Sequence, residues 1–205
     1  MRQVGPAGRE REHELLTIAQ RHGMRMVGPN CLGVLSTAAD VSMNATFAPI
    51  MPPAGPISFM SQSGAMGVTI LDYAAEYGIG IHHFVSVGNK ADVSGNDLIE
   101  YWAADETTRV ILMYLENFGN PRKFTRLARE VTRHKPIIAV KAGRTAAGAR
   151  AASSHTGALA GVDTATDALL AQCGVIRVDS VEELFDMAMA FGQLPVPKGN
   201  RVAVV

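Results

Sequence analysis

The sequence predicts a doubly wound α/β domain built on a mainly parallel sheet. Three observations support this fold class. Apolar runs of strand length, such as ISFM and VILMYL, recur along the chain with few polar interruptions, as is typical of strands covered on both faces. Segments of helical pattern alternate with these runs. The length of 205 residues suits one domain core with smaller attached pieces.

The predicted elements follow one another in a regular order. A helix over 9–22 ends at Gly23 and leads into a short strand, MRMV. A loose, proline-rich segment follows and indicates a connector. Beyond Gly55, strands and helices alternate in the order ISFM, helix 64–77, HHFVSV, helix 96–104, RVILMYLE, helix 121–134, PIIAVKA, helix 163–172, VIRV and helix 181–191.

These changes of pattern also predict the domain boundaries. Residues 1–28 are typical of the last βα piece of a preceding domain, residues 29–54 form the connector, and residues 55–194 form the main domain. Residues 195–205 contain a linker and then the run RVAVV, which we expect to be the first strand of a following domain.

Composition excludes several classes of partner. Lysine plus arginine equals aspartate plus glutamate, at 19 each, so no net field attracts nucleic acid or anionic lipid. Apolar runs are far shorter than the roughly 20 residues that span a membrane, and no signal-peptide pattern opens the chain. Two cysteines without a framework spacing are typical of a reducing compartment, so we expect a cytoplasmic protein.

The first candidate site follows the strand ISFM. Ser61, Ser63, Gly64 and Ala65 lie at a predicted helix start, where backbone N–H groups lack partners and the helix dipole is positive. Such a start binds anions, so we expect a phosphate site here. The alternative is that Ser63 only caps the helix.

The second candidate is His155, within AASSHTGALAG. The small residues around this histidine allow a ligand to approach closely, and a neutral imidazole is a competent nucleophile. Glu116, at the end of RVILMYLE, is placed to accept a proton from one ring nitrogen and so fix the tautomer. The alternatives are a histidine in an exposed loop and a glutamate in water at a strand end.

No metal site is expected from the sequence. The other five histidines show no zinc-ligand spacing. GNKADVSGND has the alternating polar residues of a calcium loop, but Asp97 and Ala103 replace the required glycine and glutamate. Turn and helix-cap roles for Ser94 or Asn96 explain the segment better. For Cys31, packing is favoured over reactivity.

Five blocks of the sequence carry a family resemblance. They are GPNCLG, FMSQSGAMG, SVGNKADVSGNDLIEYW, ILMYLE and KAGRTAAGARAASSHTGALAG. In this order they resemble the nucleoside-diphosphate-forming acyl-CoA synthetases, which are relatives of the succinyl-CoA synthetase alpha subunit. The resemblance covers nearly the whole chain and implies a flavodoxin-like fold.

The resemblance implies roles for individual residues. His155 matches the histidine that becomes phosphorylated, and Glu116 matches the glutamate that orients it. The segment from Ser61 to Gly67 matches the helix start aimed at the phosphate. Asn30 and Cys31 match a loop near the acyl and CoA thioester end.

The implied reaction uses coenzyme A, a small organic acid, phosphate and ATP or ADP with Mg²⁺, none bound tightly by this chain alone. The family's CoA-binding Rossmann domain, whose remnant would be residues 1–28, and its ATP-grasp domain are partners that this sequence lacks. We therefore expect the polypeptide alone to be inactive. A homo-oligomer is compatible with the sequence. The alternative function is a non-catalytic binding or regulatory module of a larger protein, such as a protein acetyltransferase fusion.

Overall fold

The fold is given by a computed structural model, which describes residues 5–142, 161–195, 199 and 201. Within these residues the elements are, in chain order, α1 (Pro6–Arg21), β1 (Gly33–Ser36), β2 (Met43–Thr46), β3 (Ala54–Ser61), α2 (Gly64–Glu76), β4 (Ile81–Ser86), α3 (Gly95–Ala104), β5 (Val110–Leu115), α4 (Pro121–Val131), β6 (Ile137–Lys141), α5 (Gly161–Gln172), β7 (Ile176–Val178) and α6 (Val181–Gln193).

The strands form one sheet in the order β2-β1-β4-β3-β5-β6-β7. Strands β4, β3, β5, β6 and β7 run parallel to one another. Strand β1 pairs antiparallel with both β4 and β2. The central strands are buried almost throughout, as their uninterrupted apolar sequences predict. The prediction of a mainly parallel α/β domain is confirmed.

Helices cover both faces of the sheet. On one face α2 and α6 pack through residues such as Ile70 and Phe185, and Phe185 meets Phe59 of β3 edge to face at 6.1 Å between ring centroids. On the other face α3, α4 and α5 pack through residues such as Trp102 and Phe124. Two separate apolar layers therefore hold the central strands in fixed positions, as in doubly wound folds.

The predicted strand MRMV is wrong. Residues 24–27 are not in the sheet but run beside the loop that follows β4, with hydrogen bonds such as Val93 N to Met26 O at 3.1 Å. Arg25 also forms a two-bond ion pair with Asp92, with both N–O distances at 2.9 Å. The segment forms no strand because its partner is an irregular loop rather than another strand.

The loose segment before the main domain contains structure that the sequence analysis missed. The strands β1 and β2 form an antiparallel hairpin, and β1 adds this hairpin to the sheet beside β4. Each strand has only four residues, and most of β2 is exposed, so neither gives a long apolar run. In the described part of the chain, no helix is long and apolar enough to cross a membrane.

Candidate functional site

The strand order brings two loops together at one edge of the sheet. The chain passes from β3 to β4 on one side and then returns to β5 on the other side of β3. Ligands of open parallel sheets bind at such a reversal, outside the carboxyl ends of the strands. Here the loop after β3 carries Ser63, and the loop after β5 carries Glu116.

The turn after β3 presents the start of α2. Ser63 is the N-cap, and its hydroxyl accepts a hydrogen bond from Met66 N at 3.3 Å. The amides of Gly64 and Ala65, the first two of the helix, have no intrahelical partner and remain available to an anion. The helix cap and the anion site are therefore compatible, because the cap uses a different amide.

Ser61 lies behind this turn. It is completely buried, its hydroxyl donates to Ser63 O at 2.7 Å, and it accepts from Ser63 N at 3.2 Å. Its contacts shape the turn, and it does not line the cavity described below.

Gln62 joins the two loops. This side chain is buried, and its carbonyl oxygen accepts hydrogen bonds from Glu116 N at 2.8 Å and Asn117 N at 2.9 Å. Its amide nitrogen donates to Asn117 O at 2.7 Å. The main chain on both sides of Glu116 is thereby fixed relative to the start of α2, while the Glu116 residue itself is exposed.

The loop after β4 forms the third side of the site, beside the loops that follow β3 and β5. Gly88 has φ +49°, and a Cβ atom there would lie 2.3 Å from Asn30 O, so only glycine allows the two backbones to meet. Asn89 N donates to Pro29 O at 2.9 Å, and Asn30 donates through its side chain to Asn89 at 3.4 Å. These contacts bring Asn30 and Cys31 to the site.

These loops surround a cavity of about 980 Å³. Six of the residues predicted for the site line it, namely Asn30, Cys31, Ser63, Gly64, Ala65 and Glu116. Apolar side chains from Leu32, Phe47 and Val68 form part of its wall, and the Phe47 residue is 88% exposed. The cavity thus combines an amide-lined end with apolar surface, as small-molecule sites do.

Among the residues that the structure describes, two charged side chains line this cavity, Lys90 and Glu116. The Lys90 ammonium donates to Asn117 Oδ1 at 2.6 Å, which fixes it near the turn that carries Glu116. Burial raises the pKa of the Cys31 thiol, although two backbone hydrogen bonds oppose this, so the thiol is protonated near neutral pH. This agrees with a packing role for Cys31.

Gln62 and Lys90 were not predicted as site residues from the sequence. Both lie within blocks quoted for the resemblance, but their roles depend on contacts to Glu116 or Asn117, which are more than 25 positions away. Of the two residues predicted for turn and helix-cap roles, Ser94 or Asn96, Ser94 is the N-cap of α3 and forms a capping box with Asp97.

His155 lies outside the described residues. The strand that precedes it, β6, is the neighbour of β5, and Ala142 N at its end donates to Leu115 O at 2.8 Å. The described chain therefore leaves the sheet beside the residue that precedes Glu116.

Comparison with known proteins identifies the family. Residues 54–191 match the family model described as succinyl-CoA ligase like flavodoxin domain. Acetate–CoA ligase (ADP-forming) I of Archaeoglobus fulgidus is 47% identical over 100% of this chain and 29% of its own length. The alpha subunit of acetate–CoA ligase (ADP-forming) I of Pyrococcus furiosus is 44% identical over 99% of this chain and 44% of its own.

A solved structure agrees with this assignment. Dinucleotide-forming acetyl-coenzyme A synthetase 1 of Ca. Korarchaeum cryptofilum, in complex with phosphate and ADP, superposes with a TM-score of 0.87 at 42% identity. The match covers 97% of this chain and 42% of that one, so the chain spans less than half the length of these relatives. The resemblance to acyl-CoA synthetases is thus confirmed: the chain belongs to the family of succinyl-CoA ligase-like flavodoxin domains.

Proposed function

We propose that this chain is the phosphohistidine-bearing part of an ADP-forming acyl-CoA synthetase. The observation that carries the proposal is the shared cavity, in which Glu116 and the amide-lined start of α2 face one space. Relatives named as ADP-forming ligases support an enzyme rather than a non-catalytic binding module.

The reaction proceeds in three transfers. An oxygen of inorganic phosphate attacks the thioester carbonyl of an acyl-CoA, the C–S bond breaks, and coenzyme A leaves with an acyl phosphate remaining. A ring nitrogen of His155 then attacks phosphorus, and the carboxylate of the organic acid leaves. Finally an oxygen of ADP takes the phosphoryl group from the imidazole and forms ATP. Synthesis of acyl-CoA follows the same steps in reverse.

Each step requires the phosphoryl oxygens to be held while bonds change at phosphorus. The amides of Gly64 and Ala65 and the positive end of α2 supply fixed donors for them. These donors cost no reorganisation during transfer, because the Ser63 cap and the Ser61 contacts already fix the turn. The Lys90 ammonium adds positive charge to the same cavity.

Glu116 orients the nucleophile in this proposal. Its carboxylate accepts the proton of one imidazole nitrogen of His155, so that the other nitrogen carries the lone pair. When that nitrogen bears the phosphoryl group, the same hydrogen bond stabilises the positively charged ring. The Gln62 hydrogen bonds place the Glu116 main chain for this role.

The remaining substrates and partners extend beyond this chain. We assign Asn30 and Cys31 to the acyl thioester, and Phe47 and Val68 of the same cavity offer apolar contact to a small acyl group. Coenzyme A and the nucleotide with its Mg²⁺ are substrates held mainly by a CoA-binding domain and an ATP-grasp domain. The greater length of the relatives supports such additional domains.

Labelling of the complete enzyme tests the proposal. Incubation with γ-labelled ATP should give about one label per chain that is stable in base and labile in acid, as expected for phosphohistidine. His155→Ala should abolish the label, and His134→Ala, at an exposed surface histidine, should retain it. Full labelling of the His155→Ala enzyme would contradict the proposal.

A further inference from the structure

Two histidines and an aspartate converge outside the cavity. His82 and His83 lie near the start of β4, and Asp105 lies before the start of β5. The candidate cavity is at the carboxyl ends of these strands, so this cluster belongs to the opposite edge of the sheet. None of the three residues lines the cavity.

The donor atoms of the cluster face one another. His82 Nε2 is 3.3 Å from Asp105 Oδ2, and His83 Nδ1 is 3.9 Å from the same oxygen. All three donor atoms lie within 4.8 Å of one another. Bonds of 2.0–2.1 Å in a tetrahedral zinc site place ligand atoms roughly 3.3 Å apart. The distances of Asp105 Oδ2 from the two imidazole nitrogens are close to this spacing.

His83 provides an independent indication of a missing partner. Its Nδ1 atom is buried and has no hydrogen-bond partner. An unsatisfied buried nitrogen is unfavourable, and a metal ion would satisfy it.

The carboxylate is held in place by its own hydrogen bonds. Asp105 Oδ1 accepts from Thr107 N at 3.1 Å, and Oδ2 accepts from the amide and hydroxyl of Thr108. A carboxylate supported by neighbouring donors is typical of metal ligands.

Lys135 and Tyr101 lie beside the cluster. The Lys135 ammonium donates to the main-chain carbonyls of Trp102 and Asp105, rather than to the carboxylate. The Tyr101 ring lies 5.9 Å from the His83 ring, and Tyr101 is 62% exposed. The side chains of His83 and Asp105 are 16% and 20% exposed, so the cluster is partly open to solvent.

We propose that His82, His83 and Asp105 form a binding site for a divalent transition metal, with Zn²⁺ as the best match. Two imidazoles and one carboxylate supply three ligands, and water supplies the fourth. The bound ion ties the start of β4 to the connection between α3 and β5. Its role is to stabilise the fold, and it takes no part in phosphoryl transfer. This departs from the expectation of no metal site.

Zinc binding by the full chain, prepared without a histidine tag and stripped with a chelator, tests the site. Titration calorimetry should show one Zn²⁺ per chain, and Zn²⁺ at 100 times its Kd should raise Tm by about 5 °C or more. His83→Gln and Asp105→Asn should each weaken binding about 10-fold or more. His134→Gln, at an exposed histidine, should bind as the unchanged protein does.

Two outcomes would overturn the proposal. The first is that the unchanged protein binds no stoichiometric zinc. The second is that the unchanged protein and the three variants all bind zinc equally. If the variants fail to fold, as judged by circular dichroism, the unchanged protein still decides the question. Anomalous scattering from a zinc-soaked crystal should give a peak bounded by the three donor atoms, whereas a peak elsewhere or no peak would contradict the site.

Discussion

The side-chain carbonyl of Gln62 accepts a hydrogen bond from the main-chain amide of Glu116 at 2.8 Å. This contact joins the loop that starts α2 to the loop that follows β5, the two segments that face the cavity. Because Gln62 is buried and also bonds Asn117 through two further hydrogen bonds, it behaves as a fixed brace. The position of Glu116 relative to the phosphate-binding amides depends on this brace.

Replacing Gln62 with methionine should therefore affect catalysis more than substrate binding. Gln62→Met removes three hydrogen bonds at similar volume, which should cost about 2 kcal/mol of unfolding free energy. Displacement of Glu116 should lower kcat of the complete enzyme by roughly 10- to 100-fold, with little change in KM for the nucleotide. Urea unfolding and steady-state kinetics measure the two effects. Gln172→Met, at an exposed position, is the control and should change neither.

Ser63 and Ser180 form a matched pair that separates capping from phosphate binding. Both are N-caps, Ser63 bonding Met66 N at 3.3 Å and Ser180 bonding Glu183 N at 3.1 Å. Alanine at either position should lower stability by about 1 kcal/mol. Only Ser63→Ala should also raise KM for phosphate in the complete enzyme, by about 10-fold, because its turn presents the anion site. Equal KM values for phosphate in the two variants would show that Ser63 caps the helix and takes no part in phosphate binding.

Alanine substitutions at Gly88 and Gly78 distinguish the cost of backbone strain from the cost of a steric clash. Both have positive φ, at +49° and +64°, so alanine costs about 1 kcal/mol at each. At Gly88 the new Cβ would also lie 2.3 Å from Asn30 O, whereas no atom lies within 4 Å at Gly78. Gly88→Ala should therefore be about 1–3 kcal/mol less stable than Gly78→Ala in urea unfolding. Equal stabilities would contradict the close approach of the two loops.

Asp97 should contribute to stability at mildly acidic pH. Burial would raise its pKa, but Lys123 and Ser94 more than offset this and lower the pKa to about 2. Since an unfolded aspartate has a pKa of about 3.9, this stabilisation is complete above that pH and is lost as pH falls towards 2. Urea unfolding between pH 5 and 2.5 should show a smaller pH dependence in Asp97→Asn. An unchanged pH dependence in Asp97→Asn would contradict this contribution.

Much of the fold was predictable because the central strands are apolar throughout. The runs ISFM and VILMYL identify β3 and β5, whose ends carry Ser63 and Glu116. The hairpin of β1 and β2 was not predictable in this way. Its strands are four residues long, and β2 is stabilised by pairing rather than by burial.

Site residues that act at strand ends were found from sequence, while those that act through distant partners were missed. Ser63, Gly64 and Glu116 lie where the end of a strand places them, and all three line the cavity. The role of Gln62 cannot be predicted from the sequence alone, because its hydrogen-bond partner Glu116 is 54 positions away. In the same way, His82 and His83 gain meaning only when folding brings Asp105 to within 4 Å of both.

The central claim is that one cavity holds the phosphoryl group before and after its transfer to His155. The most direct measurement is a crystal structure of the complete enzyme, phosphorylated with acyl-CoA and phosphate in the absence of ADP. We predict phosphorus bonded to a ring nitrogen of His155, phosphoryl oxygens within hydrogen-bond distance of the Gly64 and Ala65 amides, and Glu116 bonded to the other ring nitrogen. A phosphoryl group on another residue, or a phosphorylated His155 outside this cavity, would contradict the account.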